Sequence, residues 1–299
     1  MNPNTRDMFL KMVGGDEERF FREYWRKRTL FVESALPHLH DFYSYELFLK
    51  DYRRAAFHGA TLLVSVDKQG NRRMLRVTQA EQVDSALERG MSVVLQALLL
   101  PENLSDVPSE WKYFVTLHNG LCDYLLPGFP SRIRSGGPVA AVDIFCTLSQ
   151  SSSGGHYDTG DVFYFPLYGE KVWTVELTPD FDKGLQLAVD HTKCDLAPRA
   201  EHMKVRMRPG DCLYVPPYTY HRVCSSGKSL AVSLGMPTYT ELALLRASLI
   251  HIQKDRALHC PLPSYPRNHG TLFHAAEGET RMRLLHAVDL LAAFLREVG

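Results

Sequence analysis

Hydrophobic positions in the first half of the chain recur mostly with a helical period. Four aromatic residues between Phe20 and Trp25 fall at helical spacing, and acidic residues precede basic ones across this segment. Other segments alternate as strands do, or carry turn residues between two apolar runs. The pattern predicts helices at residues 16–28, 44–56, 78–100 and 108–126, a short strand at 29–34, and a hairpin at 62–77 that turns at 68–71.

The pattern changes at about residue 137, where short apolar runs alternate with Gly, Pro, Ser and Asp. Many short strands at near-regular spacing indicate a β-sandwich or barrel. After Pro237 the helical period returns, and helices are predicted at residues 240–252 and 280–298.

These elements predict a mainly β protein with additional α-helices. The expected organisation is an N-terminal α/β extension at residues 1–136 that packs on a barrel at 137–237, followed by a C-terminal helical segment at 238–299.

Composition narrows the function classes. Lys plus Arg and Asp plus Glu both number 34, so the chain lacks the basic excess typical of a nucleic-acid-binding protein. The six cysteines include no Cys-x-x-Cys pair, and no apolar run is long enough for a signal peptide or a membrane span. We therefore expect a cytoplasmic protein with reduced thiols and no membrane association.

The segment Ser-Ser-Ser-Gly-Gly-His-Tyr-Asp places His156 and Asp158 at alternate positions. On an extended strand, alternate residues point to the same side, so an imidazole and a carboxylate can converge on one ion. A strand-end histidine followed by an Asp-initiated turn would give the same short pattern.

A third ligand is suggested further along the chain. Pro216 and Pro217 end an apolar strand and precede His221, which begins the next one. Two histidines and one carboxylate make the facial triad of non-haem Fe(II) oxygenases, which leaves positions open for a co-substrate and O2. The sequence therefore predicts that His156, Asp158 and His221 bind iron and support catalysis.

Lys171 stands at the start of the apolar strand Lys-Val-Trp-Thr-Val. If the co-substrate is 2-oxoglutarate, its distal carboxylate needs a cation within a largely apolar pocket, because an unpaired buried charge is costly. Lys171 is the candidate, although an ordinary exposed strand lysine would fit the same position.

Several of these segments together resemble the JmjC-type, cupin-like hydroxylases, in particular the group that includes ribosomal-protein hydroxylases. The resemblance rests on His-Tyr-Asp-Thr-Gly-Asp and Gly-Glu-Lys-Val-Trp, on Arg-Pro-Gly-Asp-Cys-Leu-Tyr-Val-Pro-Pro-Tyr-Thr-Tyr-His, and on Ala-Val-Ser-Leu-Gly-Met. The N-terminal Phe-Phe-Arg-Glu-Tyr-Trp-Arg-Lys-Arg segment is also similar, so the likeness covers roughly residues 18–36 and 140–237.

The resemblance implies a double-stranded β-helix (jelly-roll, cupin-like) core. It also implies that Lys171 binds the C5 carboxylate of 2-oxoglutarate, with Ser153 and Ser233 as further co-substrate contacts. The implied reaction hydroxylates a C–H bond of a protein or peptide side chain and converts 2-oxoglutarate to succinate. The C-terminal helices would be the part that relatives use to form a homodimer.

The sequence departs from the family pattern at three positions. Thr29 replaces a usual proline, Ala231 stands where relatives often carry a polar residue near the metal, and Pro166 interrupts a strand. A proline inside a sheet is tolerated only at an edge or a bulge. These departures concern the substrate channel more than the triad.

Three other functions fit parts of the sequence. The same chemistry could act on a small molecule or a peptide natural product, and the neutral charge suits such a substrate. A non-catalytic cupin scaffold would need neither the triad nor Lys171. Cupin isomerases and dioxygenases that work without 2-oxoglutarate usually carry His-x-His with a downstream Glu and His, a pattern that this chain lacks.

Overall fold

The computed structural model describes the N-terminal helices, the barrel and part of the C-terminal segment. The described residues are 3–41, 43–50, 61–66, 72–76, 79–97, 109–126, 142–181, 197–236, 285–286, 288–293 and 296. The predicted helix at 240–252 lies outside them, and within the predicted helix at 280–298 the described residues are helical. None of the helices in these ranges has the length and apolar character needed to cross a membrane.

Helices flank the strands of the N-terminal region. Asp16 caps the start of α2, because its side chain accepts a hydrogen bond from the Arg19 backbone N–H, and the chain continues as a π-helical turn. The helices are α1 (Pro3–Met12), α2 (Glu17–Arg19) with the π-turn Phe20–Tyr24, α3 (Ala80–Glu88) and α4 (Ser109–Leu125).

Within the ranges described above, thirteen strands form two antiparallel sheets. The larger has the order β1-β11-β8-β13-β5-β4-β2-β3, and the smaller has the order β10-β9-β12-β6, with β7 also paired to β12. The strands are β1 (Leu30–Val32), β2 (Thr61–Val66), β3 (Arg72–Arg76), β4 (Ser92–Ala97), β5 (Val142–Thr147), β6 (Ser151–Ser152), β7 (His156–Tyr157), β8 (Asp161–Tyr168), β9 (Lys171–Glu176), β10 (His202–Met207), β11 (Cys212–Val215), β12 (Tyr220–Ser225) and β13 (Ser229–Met236).

Alternation along the strands produces two apolar layers on opposite faces of the larger sheet. On β8, Phe163 and Phe165 pack against the N-terminal helices, whereas Tyr164 faces the smaller sheet. The layer between the sheets includes Trp173 and Val175 of β9. Two facing antiparallel sheets with this alternation confirm the predicted mainly β jelly-roll core.

The helix predicted at 78–100 is wrong over its C-terminal half. The helix predicted at 78–100 ends at Glu88, Gly90 adopts a left-handed φ of 76°, and Ser92–Ala97 forms β4 between β2 and β5. A glycine in this conformation commonly ends a helix. The apolar run after it fits a buried strand or a helix equally well by period alone.

The predicted hairpin and the helix at 108–126 are confirmed by β2 paired with β3 and by α4. Through β4 the hairpin extends the larger sheet of the barrel.

The chain divides into two compact units, one made of residues 1–127 and 138–238 and the other of 128–137 and 239–299. The predicted three-part division stays a prediction.

Pro166 lies inside β8 without breaking the sheet. Pairing between β11 and β8 stops at Tyr164, so the nitrogen of Pro166 falls beyond the partner strand on that side. On the other side it is paired with Ala231, where the register of β13 shifts. The proline therefore lies next to a bulge, a position at which a sheet tolerates proline.

Candidate metal centre and co-substrate pocket

His156 and His221 lie directly opposite each other on the paired strands β7 and β12. Opposed residues of an antiparallel pair project from the same face, so both rings point in one direction. His221 is also paired with Val175 on β9, whose side chain packs between the two sheets. The two imidazoles therefore project from the inner face of the smaller sheet, and their ring centroids are 4.2 Å apart.

Asp158 follows β7 and completes the cluster. Its Oδ1 lies 3.9 Å from His156 Nε2, and its Oδ2 lies 3.3 Å from His221 Nε2. One ligand atom from each residue falls within 4.8 Å of the others. Ligands on adjacent corners of an octahedron with bonds of about 2.1 Å are about 3 Å apart, so a small side-chain adjustment lets the three residues bind one ion.

Hydrogen bonds indicate which nitrogen of each histidine carries the proton and which faces the cluster. His156 Nδ1 lies 3.1 Å from the carbonyl oxygen of Gly154, and His221 Nδ1 lies 3.0 Å from that of Thr219. A carbonyl oxygen only accepts, so each Nδ1 carries the proton. The lone pair of each Nε2 then faces the cluster, which is the arrangement that metal-binding histidines adopt.

The backbone of Tyr218 holds Asp158 in place. Tyr218 adopts a left-handed φ of 57°, which is unusual for a residue other than glycine, and its N–H donates to the carbonyl oxygen of Asp158 at 2.7 Å. The carbonyl of Tyr218 in turn accepts from the Asp180 N–H at 3.0 Å. The turn after Pro216 and Pro217 thus contributes to the placement of two of the three ligands.

The cluster is open on one side. The side chain of Asp158 is 43% exposed, whereas those of His156 and His221 are 12% and 5% exposed. Trp173 stacks on the His221 ring with centroids 5.4 Å apart. A substrate therefore has access beside the carboxylate, while the histidines are shielded from water.

Lys171 is buried at the start of β9, on the same face as Trp173 and Val175. It is paired with Ser225, and the described part of the chain shows no hydrogen bond or ion pair to its ammonium. Burial lowers the pKa of Lys171 to about 8, although the nearby Cys146 thiol opposes this effect. A buried cation without a counter-ion is costly, which suits a site that receives an anion.

The spacing along β9 suits a short dicarboxylate. Val175 is opposite His221, and Lys171 precedes Val175 by four residues. At 3.3 Å per residue this separates their Cα atoms by about 13 Å. The flexible side chain of Lys171 shortens the distance from its ammonium to the triad. A five-carbon diacid could then bridge the triad and the ammonium.

Two further polar groups face this interior and were not identified from the sequence. Tyr164 Oη and Trp173 Nε1 are buried and have no hydrogen-bond partner within the described residues. The two rings meet edge to face at 4.6 Å, and burial raises the pKa of Tyr164 well above its ordinary value. Native proteins rarely leave such groups unpaired, so a ligand between the sheets would be expected to contact them.

The two serines predicted as co-substrate contacts have different surroundings. Ser233 is 8% exposed and lies across from Tyr164, on the face of β13 that carries Ala231. Ser153 accepts from the Val223 N–H and donates to the Gly154 carbonyl oxygen, each at 3.0 Å. Ser153 is therefore engaged by backbone groups, whereas Ser233 faces the pocket interior. Both roles stay predictions.

Comparison with known proteins supports this fold. Residues 133–244 match the JmjC domain family. The structure of Escherichia coli YcfD, described as a ribosomal oxygenase, aligns with a TM-score of 0.60 at 17% identity over 92% of this chain and 66% of that one. The structure of YcfD with cobalt and 2-oxoglutarate aligns with a TM-score of 0.58 at 18% identity over 91% of this chain and 65% of that one.

At this level of identity the alignments establish a common fold, and the chain spans about two thirds of the length of YcfD. No curated protein matches the chain by sequence.

Proposed function

We propose that this chain, which carries a JmjC domain at residues 133–244, is an Fe(II)- and 2-oxoglutarate-dependent oxygenase that hydroxylates a side chain of a protein or peptide. The observation that carries the proposal is the cluster of His156, Asp158 and His221 within 4.8 Å together with the buried Lys171 on the same inner face, which has no ion pair among the described residues. The triad alone would suit several metals, and the lysine adds the counter-charge that a diacid co-substrate needs.

Each residue has a defined task in this proposal. The two Nε2 atoms and the Asp158 carboxylate would hold iron on one side and leave three adjacent positions open. Lys171 would bind the distal carboxylate of 2-oxoglutarate, with the Tyr164 hydroxyl and Trp173 Nε1 as neighbouring donors. Bound iron and 2-oxoglutarate would supply the oxidising chemistry, which consumes O2 and yields succinate and carbon dioxide.

The protein also controls access and water. Trp173 covers the His221 ring, and the layer between the sheets keeps the co-substrate end of the pocket dry. The exposed side of Asp158 is where the C–H bond to be oxidised would approach. Substrate position relative to the triad then decides which atom reacts.

A protein substrate is favoured because the aligned fold belongs to a ribosomal oxygenase. The proposal further places the enzyme in the cytoplasm and includes a homodimer formed through the C-terminal helices. Light scattering at micromolar concentration tests the dimer, and a monomer would refute it.

The proposed reaction is tested by succinate formation. Purified protein with Fe(II), ascorbate, O2 and 2-oxoglutarate should form succinate, and Asp158→Ala and Lys171→Ala should reduce the rate to background. Lys11→Ala, which changes an exposed lysine on α1, is the matched control. Equal succinate formation by wild type and Asp158→Ala would refute the oxygenase assignment.

The substrate class is tested separately by mass spectrometry. Incubation with ribosomal proteins, with peptides derived from them and with small-molecule extracts should give a mass increase of one oxygen atom in the polypeptide fraction. Such a gain in the small-molecule fraction alone would support the alternative substrate class.

A further inference from the structure

The outer face of the smaller sheet carries a concentration of positive charge. Lys204 and Arg206 of β10 and Arg222 of β12 line a surface groove of about 580 Å³. The remaining lining residues are Val172, Thr174 and Cys224. Since the whole chain has zero formal net charge, this groove is a local excess and not a property of the average surface.

Strand register places these side chains in two rows across the sheet. Thr174 lies between Lys204 and Arg222 in one row. In the second row, Val172 lies between Arg206 and Cys224. Their neighbours along each strand, such as Trp173 and Val223, pack on the opposite face, so all six residues project outward.

The groove is separate from the metal centre. Arg222 follows His221 directly on β12, and successive residues of a strand project to opposite faces. A ligand on the outer face would contact neither the triad nor Lys171. This surface therefore has no part in the chemistry proposed above.

We propose that this groove binds an acidic, extended segment of a partner polypeptide. Lys204 and Arg206 are alternate residues of one strand, and their Cα atoms are about 7 Å apart. Alternate carboxylates of an extended peptide repeat at the same distance. Arg222 lies two strand spacings from Lys204, about 10 Å, within reach of a third acidic side chain.

Carboxylate binding on this face is already present within the chain. Glu170 accepts from Arg206 at 3.0 Å and from Arg208 at 3.1 Å, so one carboxylate bridges two guanidinium groups at the rim. Lys204 has no ion pair among the described residues, and Arg222 donates to the Ser152 hydroxyl at 3.4 Å. Lys204, at the end of the groove away from Glu170, therefore offers its positive charge to an incoming acid.

The lining argues against single-stranded nucleic acid as the partner. Proteins that bind such strands combine basic grooves with aromatic rings on which bases stack. The groove is lined by aliphatic, hydroxyl and thiol side chains together with the three cations. An acidic peptide needs only the cations and a floor such as Val172 and Thr174.

The test measures fluorescence anisotropy with a fluorescein-labelled (Glu-Ser)6 peptide and the full-length protein without iron. We expect saturable binding that weakens with salt, and no binding of (Gln-Ser)6 or (Lys-Ser)6. Lys204→Gln/Arg222→Gln should weaken binding about fivefold for each cation removed. The charge-matched control Lys11→Gln/Arg22→Gln, with both changes on the N-terminal helices, should bind as wild type does.

Several outcomes would overturn the proposal. These are no binding of (Glu-Ser)6 by wild type, equal binding by Lys204→Gln/Arg222→Gln, or tighter binding of a U12 RNA than of the peptide. Thermal melting verifies the fold of each variant, and the single change of the exposed Lys204→Gln serves if the double variant is unstable. Peptide binding should be unchanged in Lys171→Ala, so this result does not depend on the oxygenase assignment.

Discussion

Replacing Lys171 by Met should stabilise the protein while it removes co-substrate binding. The pKa of Lys171 falls from 10.5 to about 8 on burial. One pKa unit corresponds to about 1.4 kcal/mol, so at pH 7 the buried charge costs the folded state about 3 kcal/mol. Met has a similar length and no charge, and we expect Lys171→Met to raise the free energy of unfolding by about 1 to 3 kcal/mol.

The pH dependence of this stabilisation shows whether it comes from removal of the buried lysine charge. Between about pH 8 and 10.5 the folded protein binds fewer protons at Lys171 than the unfolded chain does, so wild-type stability rises with pH across this window. The stabilisation by Lys171→Met should therefore be about 2 kcal/mol smaller at pH 9.5 than at pH 7.

Urea unfolding of the metal-free protein at pH 7 and 9.5 measures both effects, and Lys11→Met should change little at either pH. A Lys171→Met variant that is less stable than wild type at both pH values would refute the reasoning. The same variant should fail to bind 2-oxoglutarate in anaerobic calorimetry with Mn(II), and an unchanged affinity would remove Lys171 from the pocket.

Two further predictions concern the surroundings of the triad. Burial raises the pKa of the Asp161 carboxyl to about 6, even though Arg26 pairs with it at 3.1 Å. Because of this raised pKa, the stability of the wild type falls as pH rises from 3.8 to 6. Arg26→Met should raise the pKa further and so extend that fall to higher pH. Urea unfolding should therefore show a loss of roughly 2 kcal/mol at pH 8 and a smaller loss at pH 5, whereas equal losses would contradict the role of the ion pair. Tyr218 has a left-handed backbone, and its N–H holds the metal ligand Asp158. Tyr218→Val should therefore weaken Co(II) binding, measured by the visible Co(II) spectrum, and Tyr218→Gly should weaken it less. The reverse order would contradict the strain argument.

Part of the candidate site was accessible from the sequence because its residues occupy recognisable positions. His156 and Asp158 follow a glycine-rich segment, and Pro216 and Pro217 mark the approach to His221. The structure brings these three side chains together through the β7–β12 register. The spacing of residues along the chain does not determine which residues of two strands pair. The sequence could therefore suggest that the three ligands converge without establishing it.

Other features depend on contacts that the sequence does not contain. Tyr164 belongs to an aromatic run in which Phe163 and Phe165 are ordinary core residues, and only the face of β8 separates their environments. The sequence pattern predicts a helix where β4 forms, because a buried strand and a buried helix both appear as continuous apolar runs. The sequence pattern does not predict the basic groove either, since its three cations come from β10 and β12, which the sheet places on either side of β9.

The central claim is that the triad and Lys171 bind iron and 2-oxoglutarate together. The most direct measurement is an anaerobic titration of the Fe(II)-loaded protein with 2-oxoglutarate, followed by visible absorption. We predict a weak charge-transfer band that saturates in wild type and is absent in Asp158→Ala and Lys171→Ala. The absence of any band in wild type, together with a His156→Ala variant that binds iron as tightly as wild type, would contradict the account.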